Sequence, residues 1–354
     1  MSLVNRSAAE ALRRQLNEAF TEELAFQIAE DFAQFLDTFH SYREPYDTPL
    51  DIELHERYAR KLKERTYFDF KSQPHFSPSS AGSCPRELYE KVRKSPRDDS
   101  QVQPHQRRWT AQGTVIGDWL QREILLAERH YEKFTGESPR FRMARLDNGD
   151  PCFEDFVKMM RVFEHNGEKF SLHGTTDGVM EYVSADGETI RVGLEVKSKQ
   201  TTAAKTSAYS MRQAEGKHVA QCVAYSLMYN VDYFVICYVN LSKKGWTLTP
   251  EEYVANPDVR AFGIYVTNEM KTKLLDRFAD IVRRAREGDA PPMDIAKFTF
   301  NGYKTTIAKA LTDAELADIR KQVAQMVKSR LPDYQKKPYI EALDYIERVR
   351  QEAV

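Results

Sequence analysis

Apolar positions along this chain follow two periods. In the first 66 residues Leu12, Leu16, Phe20, Leu24, Ile28, Phe32 and Phe35 recur every three or four positions, the spacing of one helical face. Ser7 with Glu10 reads as a capping box, and Thr48, Pro49 and Asp51 open a second helix that runs to Arg65. Phe76 to Gly82 is a Ser/Pro/Gly loop, ELYEKVRK a short helix, and Asp98 to Gln106 a polar loop. Helical spacing then resumes from Gln112 to Tyr131. In the middle the period shortens. LHGTTDGVMEYV, TIRVGLEVKSK, DYFVICYV and FGIYV are short β-branched or aromatic runs, the first two joined by the turn-like SADGE. A helix over Lys217 to Tyr229 separates the second run from the third. Beyond about Pro291 the chain returns to helix, with a capping box at Thr312 and Glu315 and an amphipathic stretch from Tyr339 to Glu352.

Helix, antiparallel pair, helix and further strand predict an α/β fold: a mixed central β-sheet flanked by helices. The division expected from the pattern is a helical N-terminal extension over 1–66, a core over 67–290 and a helical C-terminal extension over 291–354. The apolar faces of the extensions either pack on the core, join subunits or dock a protein partner.

Composition narrows the function classes. With 52 basic and 53 acidic residues the formal charge is -1, so no global positive field marks a nucleic-acid partner, and any DNA contact must come from a local arrangement. Cys84, Cys152, Cys222 and Cys237 form no CxxC pair, which argues against a zinc finger or disulfide framework and fits a reducing cytoplasm. The N-terminus lacks a signal-peptide apolar region, and no stretch approaches the roughly 20 apolar residues of a membrane span. A soluble, cytoplasmic protein without membrane contact is expected.

The candidate chemistry lies on the paired runs. Along RVGLEVKSK, side-chain alternation puts Gly193, Glu195 and Lys197 on one face and Val192, Leu194 and Val196 on the other. A half-exposed strand with solvated Glu and Lys gives the same pattern. Asp177, just after a glycine turn in HGTTDGVM, reads either as a solvated turn residue or as a partner for Glu195 on the neighbouring strand. In the second case the two carboxylates and the backbone carbonyl of Val196 make the hard oxygen site that Mg2+ or Mn2+ prefers. Lys197 then orients a water or neutralises charge in phosphoryl transfer. In HVAQCVAYSLMYN, Gln221 and Tyr225 stand four apart on one helical face, either at a half-buried edge or in support of the site.

Gly174-Thr-Thr-Asp177, Glu195-Val-Lys197 and Gln221-x-x-x-Tyr225, in that order, resemble the GxxD, ExK and QxxxY motifs of the PD-(D/E)XK nuclease superfamily. The resemblance is to its RecB-like branch, with the CRISPR-associated adaptation exonucleases and similar phage and mitochondrial exonucleases, and covers about residues 76 to 270. It implies that Asp177 and Glu195 bind metal, that Lys197 is the catalytic lysine, and that Gln221 and Tyr225 support the site or the DNA strand. FSPSSAGSCPRELY is similar to a Ser-rich CPRxLY segment of that branch. Cys84 matches an iron-sulfur ligand of some members, but the C-terminal cysteine cluster is missing, so no iron-sulfur cluster is expected and Cys84 reads as a small buried residue. Arg86 either faces phosphate or makes a structural salt bridge. The branch's metal-binding histidine, four residues after a glycine, would fall in the register from Gly113 on Gly117, which has no side chain. Asp118 or Glu123 then becomes the candidate for a further oxygen ligand.

Basic residues cluster near the motifs. Lys199, Lys205, Arg212 and Lys217 surround the paired runs and are candidate DNA contacts with Arg86, while Trp109, Tyr209 and Tyr225 offer stacking faces for a single strand. The expectation is a metal-dependent deoxyribonuclease, an exonuclease of recombination, repair or replication. An endonuclease with the same core and a non-catalytic nucleic-acid-binding module are the alternatives.

Overall fold

The structure, a computed structural model, describes residues 6–64, 66–99 and 102–352, without the side chains of 6–15, 17 and 18. The side chains of Ser7, Glu10 and Leu12, and the whole of Arg65, therefore lie outside the described residues. Helices α1 (Arg6–His40) and α2 (Thr48–Lys63) precede strand β1 (His75–Phe76), α3 (Pro85–Val92) and α4 (Pro104–Thr135). Strands β2 (Phe141–Met143), β3 (Met159–His165), β4 (Glu168–Gly174), β5 (Gly178–Val183) and β6 (Thr189–Lys199) follow. Next come α5 (Gly216–Tyr229), β7 (Tyr233–Asn240), α6 (Pro250–Ala255) and β8 (Val259–Tyr265). The described chain ends in α7 (Asn268–Glu287), α8 (Lys304–Ala310), α9 (Asp313–Lys328) and α10 (Asp333–Gln351). Among the described residues no helix is long and apolar enough to cross a membrane.

The fold is mixed α/β. One sheet runs in the order β2-β5-β6-β7-β8, a second in the order β1-β4-β3. β5 and β6 form the expected antiparallel hairpin, closed by Ser184 and Glu188 with Gly187 at φ 82°. β6 and β7 are parallel, joined through α5, so the connection after Lys199 must climb back over the sheet. The run LHGTTDGVMEYV, expected as one strand, is two: β4 ends at Gly174, β5 begins at Gly178, and Asp177 occupies the break.

The chain divides into two compact units, Met1–Phe68 with Gln103–Arg161 and His173–Lys271, and Asp69–Val102 with Val162–Leu172 and Thr272–Val354. In the first unit Ile28, Phe32, Phe35 and Leu36 of α1 and Leu120, Ile124 and Leu126 of α4 share one core with Val192, Leu194, Val196, Val235 and Cys237. Phe32 meets Phe141 edge to face at 5.2 Å. Gly263 of β8 lets α1 approach backbone to backbone, for a Cβ there would stand 1.7 Å from Ala25 O. Among the described side chains of the α1 stripe, Leu24 is half-buried and Ile28, Phe32 and Phe35 are buried, while Leu16 and Phe20 are 62% and 65% exposed.

The second unit has two apolar centres. Phe76 stacks on Phe278 at 4.3 Å, with Phe170 against both. Ile307, Leu316, Ile319, Ile346 and Val349 of the C-terminal helices pack with Phe298 and Cys84. The Thr312–Glu315 capping box forms as its spacing predicts, each residue bonding the other's backbone N–H.

Candidate active site

The site grows from the place where β5 stops pairing. The ladder between β5 and β6 ends at Gly178 opposite Leu194. Two residues on, the Val196 N–H donates to Asp177 Oδ2 at 2.6 Å, so the carboxylate takes the place of the next strand carbonyl. The loop that carries Asp177 is held on several sides. Thr175 Oγ1 donates to Glu154 O (2.6 Å), Thr176 Oγ1 reaches Leu194 O (3.3 Å), and Gln121 Nε2 of α4 donates to Asp177 O (2.9 Å).

Glu195 lies one position along from this clamp and is completely buried. The Lys197 ammonium rests against its Oε1, and its Oε2 has no hydrogen-bond partner among the described residues. Burial, reinforced by Asp177, pushes the Glu195 carboxyl up to about 8 against the pull of Lys197. The Asp177 carboxyl is also raised by burial. Burial works to lower the Lys197 ammonium, but Glu195 and Asp177 outweigh it, so its pKa rises and the side chain stays charged.

Glu195 shares its face of β6 with Gly193, where Phe234 of β7 fills the space that a side chain would need: a Cβ at Gly193 would lie 2.2 Å from the ring. Helix α5 covers this face. Gln221 Nε2 donates to Tyr225 OH at 3.0 Å, both residues buried, so their spacing of four is used between themselves. Burial first and Glu195 second raise the Tyr225 phenol, which stays protonated. Cys222 is buried beside the same carboxylates, and its thiol is pushed well up by burial and by Glu195.

Residues absent from the sequence reading complete the cluster. Glu154, in the turn before β3, has its carboxyl raised to about 7 by burial and then by Asp177, Asp155 and Asp118. His218 Nδ1 lies 2.8 Å from Tyr238 OH, and burial, then Lys197, pushes its imidazole down to about 3. Its position three before Gln221 on the same helical face was a usable signal; nothing local marks Glu154.

Of the two acids proposed in place of a histidine, Asp118 belongs with this group, raised by burial and by Asp155 and acting on Asp177. Glu123 does not. Five residues on, it is turned about 140° around α4, where its Oε2 lies 3.3 Å from His40 Nε2. Gly117 has nothing within 4 Å of where its Cβ would stand.

The expected DNA contacts separate by environment. Arg86 is 3% exposed and lies between Glu90 (3.4 Å) and Glu315 (3.3 Å), donating also to Pro291 O, so of its two readings the structural ion pair is the one found. A buried guanidinium must be paired, and two carboxylates of its own unit do this. Lys199 is held by Glu215 and lies over the Tyr238 ring. Lys217 pairs with Glu215 at 3.2 Å, while Lys205 and Arg212 are exposed, Arg212 stacking on Tyr209. Cys84 Sγ accepts the Asp294 N–H in the core of the second unit.

The donor chemistry fits a hard dication. Among the described residues no three His, Cys, Asp or Glu side chains already enclose one point. Mg2+, however, is ordinarily held by one or two carboxylates together with water and substrate phosphate rather than by a full protein cage. Asp177 and Glu195 are two neighbouring carboxylates of that kind.

No family model matches this chain, and no curated protein does. Among solved structures, the crystal structure of SSO0001 is similar over 75% of this chain and 99% of that one, at 11% identity and a TM-score of 0.38. An alkaline exonuclease (LHK-Exo) from Laribacter hongkongensis is similar over 66% of this chain and 94% of its own, at 8% identity and a TM-score of 0.34. Scheffersomyces stipitis Rai1 is similar over 39% of this chain and 35% of its own, at 15% identity and a TM-score of 0.18.

Proposed function

We propose that this chain hydrolyses phosphodiester bonds in DNA with Mg2+ or Mn2+, and that it does so from DNA ends, as an exonuclease. The observation that carries the reading is the pair of carboxylates, Glu195 buried with Lys197 against it and Asp177 half-buried and fixed by the Val196 N–H. Two neighbouring carboxylates raised in pKa, Glu195 fully buried with an oxygen left unpartnered and Asp177 half-buried, are an unfavourable arrangement for a protein alone and a favourable one around a dication. Asp177, Glu195 and the Val196 carbonyl would hold the ion, and Asp118, exposed on α4, is the candidate for a further oxygen ligand. When bound, the metal supplies Lewis-acid stabilisation of charge on the phosphoryl oxygens.

The remaining residues act on position and charge. The Val196 N–H fixes the Asp177 carboxylate, leaving its other oxygen for the ion. Lys197 stays protonated and offers its N–H groups to the attacking water or to the phosphate, where a fixed donor acts without reorganisation. Tyr225, protonated and bonded to Gln221, walls the site on the α5 side. Lys205 and Arg212, exposed on the segment that follows the reactive strand, contribute salt-dependent phosphate contacts.

The test is cleavage of end-labelled linear single- and double-stranded DNA with Mg2+ or Mn2+, beside a covalently closed circle, an EDTA control and the Glu195→Ala protein. Metal- and Glu195-dependent loss of linear DNA alone supports the exonuclease. Cutting of the circle by the same residues reassigns it as an endonuclease. Binding without cleavage of any substrate overturns the enzyme and leaves a nucleic-acid-binding module.

A further inference from the structure

The C-terminal ends of the parallel strands β6 and β7 carry loops of which the proposed function uses only Lys205 and Arg212. An isolated exposed aromatic has no meaning by itself. Here Trp246 is 104% exposed, Tyr209 82% and Trp109 45%, and each sits in a basic sequence: Lys243 and Lys244, Lys205 and Arg212, Arg107 and Arg108. The Arg212 guanidinium lies 5.4 Å from the centre of the Tyr209 ring, which holds that ring in place.

Hydrogen bonds join these segments into one surface. Leu241 N–H donates to Lys199 O at 2.8 Å, so both loops leave the sheet side by side. Asn240 Nδ2 donates to Thr202 O, Ala203 O and Thr206 Oγ1, each at 3.0 Å, and Gln200 Nε2 reaches Trp109 O at 3.2 Å on α4. Trp246 borders a concavity of about 340 Å³ with Ala203, Asn240 and Tyr253, within the size range of small-ligand clefts. Lys243 and Lys244 are partly neutralised by Asp258 and Glu252, so apolar ring surface rather than charge dominates at Trp246.

We infer that these loops form a platform for single-stranded DNA on which Trp246 stacks an unpaired base and Tyr209 with Arg212 a second. Stacking on an open ring needs a base already out of a duplex, which sets the substrate class as a single strand or a frayed end. The inference rests on the proposed DNA reading, but it needs no cleavage.

The test is fluorescence anisotropy of a labelled oligodeoxythymidine and of a closed hairpin duplex with the full chain in EDTA, at two salt concentrations. Trp246→Ala is expected to weaken oligodeoxythymidine binding at least about fivefold, the low end for one base stack, with Trp246→Phe retaining most of it. The closed duplex should be unaffected. Lys205→Ala with Arg212→Ala should flatten the salt dependence. Trp246→Ala binding the oligonucleotide within about twofold of the parent, or weakening both ligands alike, overturns the platform. Metal-dependent cleavage with a neutral Trp246→Ala sinks the platform and spares the nuclease. Trp246-dependent binding with no cleavage does the reverse.

Discussion

Gly193→Ala is the sharpest test of how the Glu195 face of β6 is packed. A Cβ at this position would stand 2.2, 2.4 and 2.8 Å from three carbons of the Phe234 ring, its partner in the parallel ladder. Ordinary contact needs about 3.4 Å or more, so the ring must retreat by more than 1 Å. Phe234 is 2% exposed and has no solvent side to turn toward. Overpacking of this kind costs about 1–3 kcal/mol, against a gain of about 0.4–1 from the lost freedom of glycine in the unfolded chain. The expected net is a loss of about 1–2 kcal/mol. In a Phe234→Ala background, itself about 3–5 kcal/mol less stable, the same substitution meets empty space and becomes neutral or mildly stabilising. Urea unfolding of the four proteins of this cycle gives the coupling, expected at or above about 1.5 kcal/mol. A coupling below about 0.5 kcal/mol would refute the reasoning, because Gly193 would then be costly for a reason other than the ring.

Two other glycines bracket that result. Gly263→Ala places a Cβ 1.7 Å from Ala25 O, a backbone atom that no rotamer change can move, so α1 must lift from β8 and the melting temperature should fall by more than for Gly193→Ala. Gly117→Ala, with nothing within 4 Å, should instead raise stability by about 0.5–1 kcal/mol through helix propensity; a loss would mean that the space is used. In EDTA, the Glu195 and Glu154 carboxyls, raised to about 8 and about 7, give stability that is fully present below about pH 4.5 and lost as pH rises through those values. The urea midpoint should fall between pH 5 and pH 8.5 more steeply than in a Glu154→Gln/Glu195→Gln protein, and a flat profile in both would contradict the assignment. Lys197→Met should reduce cleavage at least about 100-fold while circular dichroism stays unchanged. Retention of a tenth of the rate would remove Lys197 from the chemistry.

Local chemistry made much of this fold legible. Helix α5, expected over Lys217 to Tyr229, spans Gly216–Tyr229, because its apolar spacing and its start are written in adjacent residues. The β5–β6 hairpin follows from SADGE in the same way. The β3–β4 hairpin turns on Asn166 and Gly167, at φ 50° and 76°, and that Asn-Gly signal was equally available, though the predicted strand set omits it. Asp177, Glu195 and Lys197 lie together in the structure, Asp177 on the Val196 N–H and Lys197 on Glu195, since strand alternation and one tight hairpin suffice to bring them together.

What the sequence could not decide is which distant groups meet and which of them lose water. Arg86 is spent on Glu315, 229 residues away, and Glu123 on His40, outcomes set by how helices pack and not by either residue's neighbours. Glu154 joins Asp177 because Thr175 bonds its carbonyl and the preceding residues Cys152 and Phe153 bridge to Val179 and Gly178. Sequence by itself determined most helices, the β5–β6 hairpin and the placing of Glu195 and Lys197 on one strand face, because backbone periods and turn chemistry act over a few residues. Only the tertiary structure decided the charge state and partners of the acids, because desolvation and Coulomb interaction depend on everything packed around a group, wherever in the chain it comes from.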